Sequence, residues 1–190
     1  MRRQFGLSTI LILGILLPLM VPTSASASSL GNAGSITEFD SSTLGWWETY
    51  DGLTIIVNNT GEITAYDFEE HGALTKVWNF SLGVAINSGA IDNVQRRLAL
   101  STDNGVSVIS TELHSMLYSI PVSSGVDAVG WGSQGELWVG DRAYGFAMKF
   151  EDTSDAQITT QAHGIKITNI FCLSDGSVIT GGRDSIVRVS

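Results

Sequence analysis

HGIKITNIFCLSDGSVITGGRDSIVRVS, the stretch from His163 to Ser190, reads as two short strands and the start of a third. Turn residues separate them, Asp175-Gly176 first and then Gly181-Gly182-Arg183-Asp184. Between those turns the apolar residues Ile167, Ile170 and Cys172, then Val178, then Ile186 fall in runs of strand length. No run anywhere in the chain keeps the apolar spacing of a helix over two turns, while β-branched residues and glycine are plentiful. The expected class is all-β.

The rest of the chain repeats this plan. Asp51-Gly52, Gln134-Gly135 and Asp175-Gly176 lie 83 and 41 residues apart, two periods and then one. A second marker, the turn before the third strand of each unit, falls at Gly61, Gly105, Gly145 and Ser185, with spacings of 44, 40 and 40. Four-stranded repeats of this length are the signature of β-propeller blades, because a twisted sheet with two apolar faces must be covered by its neighbours around an axis. We expect a propeller of about four four-stranded blades over residues 43–190, incomplete at its C-terminal end. The fourth unit reaches Ser190 within its third strand. Either a strand around Ile36 to Phe39 closes a four-bladed ring, or these blades are the front of a longer propeller, and the second is the expectation.

Residues 1–27 read as a signal peptide: Arg2 and Arg3 begin it, FGLSTILILGILLPLM is its apolar centre, and Ala25-Ser26-Ala27 offers a cleavage site. Residues 28–42 form a Ser/Ala-rich linker or the closing strand. A secreted or cell-surface location follows, with membrane contact only through the signal segment if it stays uncleaved. Without that segment, eight Lys and Arg face nineteen Asp and Glu, a net charge of −11. Nucleic acid is therefore not expected as a partner, since phosphate binding needs clustered bases. Cys172 is the sole cysteine, set in an apolar strand, so it reads as a core residue and no internal disulfide can form.

The fourth unit resembles a WD repeat: His163, Ile167, Ile170, Asp175-Gly176, Thr180-Gly181, Asp184 and Val187-Arg188-Val189 match, while Ala162 precedes the His and Ser190 stands at the Trp place. The resemblance implies that His163, Thr180 and Asp184 form a hydrogen-bonded network that ties one blade together. The first unit is similar to the repeat of quinoprotein-type propellers, through Gly61-Glu62-Ile63-Thr64-Ala65-Tyr66-Asp67, Gly72 and Trp78. There Trp78 is implied to pack between adjacent blades, but the cofactor ligands of true quinone dehydrogenases have no counterpart, and no cofactor is expected.

The same three residues have the types of a nucleophile, base and orienting acid, but Thr180 lacks the strained elbow that activates a hydroxyl. No calcium-loop or zinc-ligand spacing is present, and no metal is expected. Equivalent turns of successive blades gather on one rim, so Asn59, Asp103, Asp141 and Asp184, with Arg142 and Arg183 beside two of them, are the candidate binding residues. Asn and Asp are also what tight turns require on their own account. In Trp46-Trp47, adjacent strand residues point to opposite faces, which leaves one ring exposed. The functional expectation is a propeller scaffold that binds a protein or peptide, with no catalysis by the residues named. A propeller enzyme, either a quinoprotein-like oxidoreductase or a lyase or hydrolase, with its site in further blades is the alternative. A cell-envelope factor that holds extended peptides along a blade edge is a third reading.

Overall fold

A computed structural model describes residues 42–68, 74–151, 158–184 and 186–189. The expected signal peptide and nearly all of the expected linker lie outside them, as do Gly72, Ser185 and Ser190. Fifteen strands and no helix are present among the described residues. Blade 1 contains β1 (Thr43–Glu48), β2 (Thr54–Asn58), β3 (Glu62–Phe68) and β4 (Leu74–Ser81). Blade 2 contains β5 (Ile86–Asp92), β6 (Arg97–Thr102), β7 (Gly105–Ser110) and β8 (Ser115–Pro121). Blade 3 contains β9 (Val126–Trp131), β10 (Leu137–Asp141), β11 (Phe146–Phe150) and β12 (Ile158–Gln161). Blade 4 contains β13 (Ile167–Cys172), β14 (Val178–Gly182) and β15 (Val187–Val189). Each blade is an antiparallel meander in chain order, so the all-β blade plan holds, with three described strands in the fourth sheet.

First strands are innermost: β1 packs on β5, β5 on β9 and β9 on β13. No comparable packing joins β13 to β1 among the described residues, and the blades form an open arc. Each blade covers its neighbour through alternate residues. Ile55, Val57, Ile63, Ala65 and Trp78 on the forward face of blade 1 meet Leu98, Leu100 and Ile109 of blade 2. Ala99, Val106 and Val108 of blade 2 meet Val129, Leu137 and Val139 of blade 3. Ala128 and Ala147 of blade 3 meet Ile167, Ile170 and Val178 of blade 4. Burying one such aliphatic side chain is worth about 1.5–3 kcal/mol, which makes these junctions the main stabilising element of the array. Trp78 is buried at the first junction and stacks on His114, with ring centroids 4.8 Å apart.

The turns between first and second strands share one device in three blades. Gly52, Gly135 and Gly176 take φ of +87°, +85° and +89°, a region in which a side chain is strained. Blade 2 uses a turn one residue shorter instead. Asp92 Oδ1 accepts from the amides of Val94 (3.0 Å) and Gln95 (3.1 Å), and Arg96 takes the left-handed position at φ +53°.

Candidate functional site

At one end of the array the second-to-third-strand turns and the loops between blades converge. A β-bulge falls at the same place in every inner strand, and it leaves Leu44, Asn87, Asp127 and Thr168 outside the ladder. Bulges re-aim side chains, and here they direct Asn87 and Asp127 toward that rim. Asn87 donates from Nδ2 to Asp103 Oδ1 at 3.1 Å and to the Val126 carbonyl of the next blade at 3.1 Å. Arg142 spans the same junction: Nε donates to Asp127 Oδ1 at 2.8 Å, and a terminal nitrogen lies 2.6 Å from Asp103 Oδ1 and 2.7 Å from Asp127 Oδ1. Lys166, on the loop entering blade 4, pairs with Asp127 from the other side. A polar ladder thus crosses three blades, in the order Asn87, Asp103, Arg142, Asp127, Lys166.

The hydrogen bond from Asn87 and then the Arg142 guanidinium hold the Asp103 carboxyl below the usual carboxylate range. The bond to Asp127 raises the Arg142 guanidinium against the opposing effect of burial. Arg142 therefore stays charged, and Asp103 and Asp127 balance that charge within the rim. Arg183 holds the corresponding position in blade 4, since both side chains follow the last paired residue of the second strand. It is exposed, and no carboxylate pairs with it among the described residues. Asn59 occupies that position in blade 1 and is exposed as well. Asp141 is placed differently. It is buried, accepts from the Ala143 amide at 2.9 Å, and also bonds the Tyr144 amide and the Ser124 hydroxyl, so it braces its own turn.

His163, Thr180 and Asp184 meet in blade 4. Asp184 can only accept, so His163 Nδ1 donates to it at 2.9 and 3.0 Å. In the neutral ring Nε2 then accepts from the Thr180 hydroxyl at 3.0 Å. Burial would raise the Asp184 carboxyl, but the bonds from His163 and from the Ile186 amide outweigh it and hold the group low. Both His163 and Thr180 are buried, so the hydroxyl faces the sheet and not solvent. Burial, with a smaller contribution from the Glu136 charge, pushes the Cys172 thiol up to about 12, so the thiolate required of a nucleophile is scarce near neutral pH.

The opposite rim holds a joint that the sequence reading missed. Arg97 pairs with Asp92 at 2.9 Å, both buried, and donates to the Gly135 carbonyl of blade 3 at 2.8 Å. Its guanidinium lies 4.2 Å from the Trp131 ring centroid, and Trp131 Nε1 donates to the Ala90 carbonyl at 3.0 Å. The available signal was an Arg next to a turn Asp, DNVQRR, which also fits an exposed turn.

Up-and-down sheets fanned about a line of inner strands define an array of β-propeller blades. More narrowly, the fold is that of the WD40 propellers, as three solved structures show. The chain is similar to U3-55K, with a TM-score of 0.68 and 16% identity over 78% of this chain and 48% of that one. It is also similar to a chain in the crystal structure of the mitotic checkpoint complex, with a TM-score of 0.62 and 18% identity over 75% of this chain and 45% of that one. A third match is the WD40 β-propeller domain of Doa1, with a TM-score of 0.59 and 14% identity over 72% and 46%. The chain therefore spans under half the length of each. No family model and no curated protein matches it by sequence.

Proposed function

We propose that this chain is an extracytoplasmic binding scaffold that holds a protein or peptide on the rim carrying Asn59, Asp103, Arg142 and Arg183. The observation that carries the reading is the ladder from Asn87 to Lys166, which locks the polar groups of three blades into one surface. A preorganised rim loses little conformational freedom on binding, so its exposed ends, Asn59 and Arg183, are available to a partner at low entropic cost. The reading also draws on the fold, whose solved examples include a chain in a checkpoint complex. Location outside the cytoplasm rests on the basic start, apolar centre and small-residue cleavage site of residues 1–27.

An immobilised peptide library probed with the full chain and with an Asn59→Ala, Arg183→Glu variant tests the rim. We expect bound peptides to lose roughly tenfold or more in affinity in the variant, as truncating a few central contacts does, with the far-UV spectrum unchanged. Peptides that bind both proteins equally would remove the rim from the site. Mass spectrometry of the exported protein tests the location, and an intact N-terminus with all material in the cytoplasm would reject it.

A further inference from the structure

The faces at the two ends of the arc differ in chemistry. On the forward face of blade 4 Phe171 lies opposite Ile179, and Val187 lies opposite Gly181. Phe171 is 60% exposed and Val187 is 70% exposed. The register assigns Val187 the place held by Ile63, Val106 and Ala147 in the other blades, which are 0%, 2% and 4% exposed. Each of those three is covered by the blade that follows. The forward face of blade 4 therefore continues a surface that is an interface at every other junction.

The rear face of blade 1 does not. Where blades 2, 3 and 4 place the pairs Ile91 and Leu98, Trp131 and Leu137, and Cys172 and Val178, blade 1 places Glu48 and Thr54. Beside them stands Trp46, 63% exposed, at the place of Gly89, Val129 and Ile170. Ile56 and Tyr66 keep this face partly apolar, but Glu48, Thr54 and the bulky Trp46 break the pattern that the other three blades bury.

Size settles what fits blade 4. At the first junction the large Trp47 meets Gly89, where an added Cβ would lie 2.9 Å from the indole. At the third the roles reverse, and Gly130 meets Ile170, where an added Cβ would lie 3.0 Å from Cγ2. One partner has no side chain at each of these contacts, so inner strands approach closely only as large on small. Phe171 holds the place of Trp47 and Gly130.

We propose that the forward face of blade 4 docks a further propeller blade whose inner strand carries glycine or alanine opposite Phe171. Blade 1, whether of this chain or of a second copy, is excluded from that place. Docking it there would set Trp46 against Phe171 and bury Glu48 beside Ile179 without a partner.

The full chain, extended after Ser190 by a second copy of residues 74–121, tests this. The addition supplies β4 as an outer strand and then blade 2 with Gly89 on its rear face. We expect binding of an apolar fluorescent dye to fall several-fold relative to the unextended chain. Gly89→Trp in the added copy should restore dye binding, and Phe171→Ala together with it should lower binding again. Equal dye binding by the extensions with and without Gly89→Trp would overturn the size rule. If the extended chain does not fold, Phe171→Lys with Val187→Lys in the unextended chain decides whether the face is open. A several-fold loss of dye supports the proposal, and no change rejects it. Sedimentation of the unextended chain as a dimer that is lost in both Trp46→Lys and Phe171→Lys would identify a second copy as the occupant and overturn the exclusion.

Discussion

Blade 4 and blades 2 and 3 close the same joint in two ways. Four residues before each inner strand the chain turns in from the previous blade, at Leu82, Val122 and His163. The matching second-strand residues are Leu100, Val139 and Thr180, which lie opposite Gly89, Val129 and Ile170 in the ladder. In blades 2 and 3 the pair is apolar and belongs to the cores around Leu100 and Val139. In blade 4 it is an imidazole and a hydroxyl, extended by Asp184. Dispersion and burial hold the apolar joints, and losing part of one leaves a void. The polar joint holds only while its members are satisfied, and losing His163 or Thr180 strands the other where both are buried.

Four experiments can break or sharpen that contrast. The largest effect is expected from His163→Ala, which opens a cavity and leaves the buried Thr180 hydroxyl without its partner. Denaturant unfolding should show a loss of about 2–4 kcal/mol, and a loss below 0.5 would mean that the network contributes little. Transplanting the imidazole alone, as Val122→His in blade 3, should cost about 2–3 kcal/mol. Adding Val139→Thr and Ala143→Asp should recover about 1 kcal/mol or more of it. If the single and triple variants unfold together, the contrast belongs to the blades and not to these residues. Replacing the polar network of blade 4 by the residues of blade 3, as His163→Val with Thr180→Val and Asp184→Ala, should leave stability within about 1 kcal/mol of the wild type, because all three partners leave together. The smallest effect is the pH response. Asp184 is held below the ordinary carboxylate range, so its contribution is present above the unfolded pKa near ~4 and is lost as pH falls through the lowered value. Denaturation midpoints between pH 6 and 2 should therefore fall more steeply for the wild type than for Asp184→Asn. Equal slopes would show that the charge on Asp184 adds nothing.

Much of the fold was legible because turn chemistry is local. Gly52, Gly135 and Gly176 mark equivalent turns with nearly equal φ, and a residue that tolerates positive φ stands out in any sequence. Blade 2 hid its counterpart, since Arg96 does the work of a glycine there and the Asp92 carboxylate supplies the turn hydrogen bonds. The candidate rim was legible only in part. Arg142 and Asp103 could be assigned to turns, but Asn87, Asp127 and Lys166 could not be added to them. Their partners lie across blades, up to 39 residues away for Asn87 and Val126, at a distance set by blade twist and bulge position. Asp141 looked like its rim neighbours in sequence and turned inward, because one step along a strand reverses the side chain.

Alternation of apolar and turn residues over forty-odd positions was enough to determine the blades, since each sheet's strand order and register follow from short-range pairing and tight connections. Tertiary structure alone decided which carboxylate meets which guanidinium, that Trp47 is packed while Trp46 is exposed, and that the outward faces at the two ends of the arc do not match each other. Those outcomes depend on how neighbouring sheets are rotated and how closely their inner strands approach, and no single strand encodes that geometry.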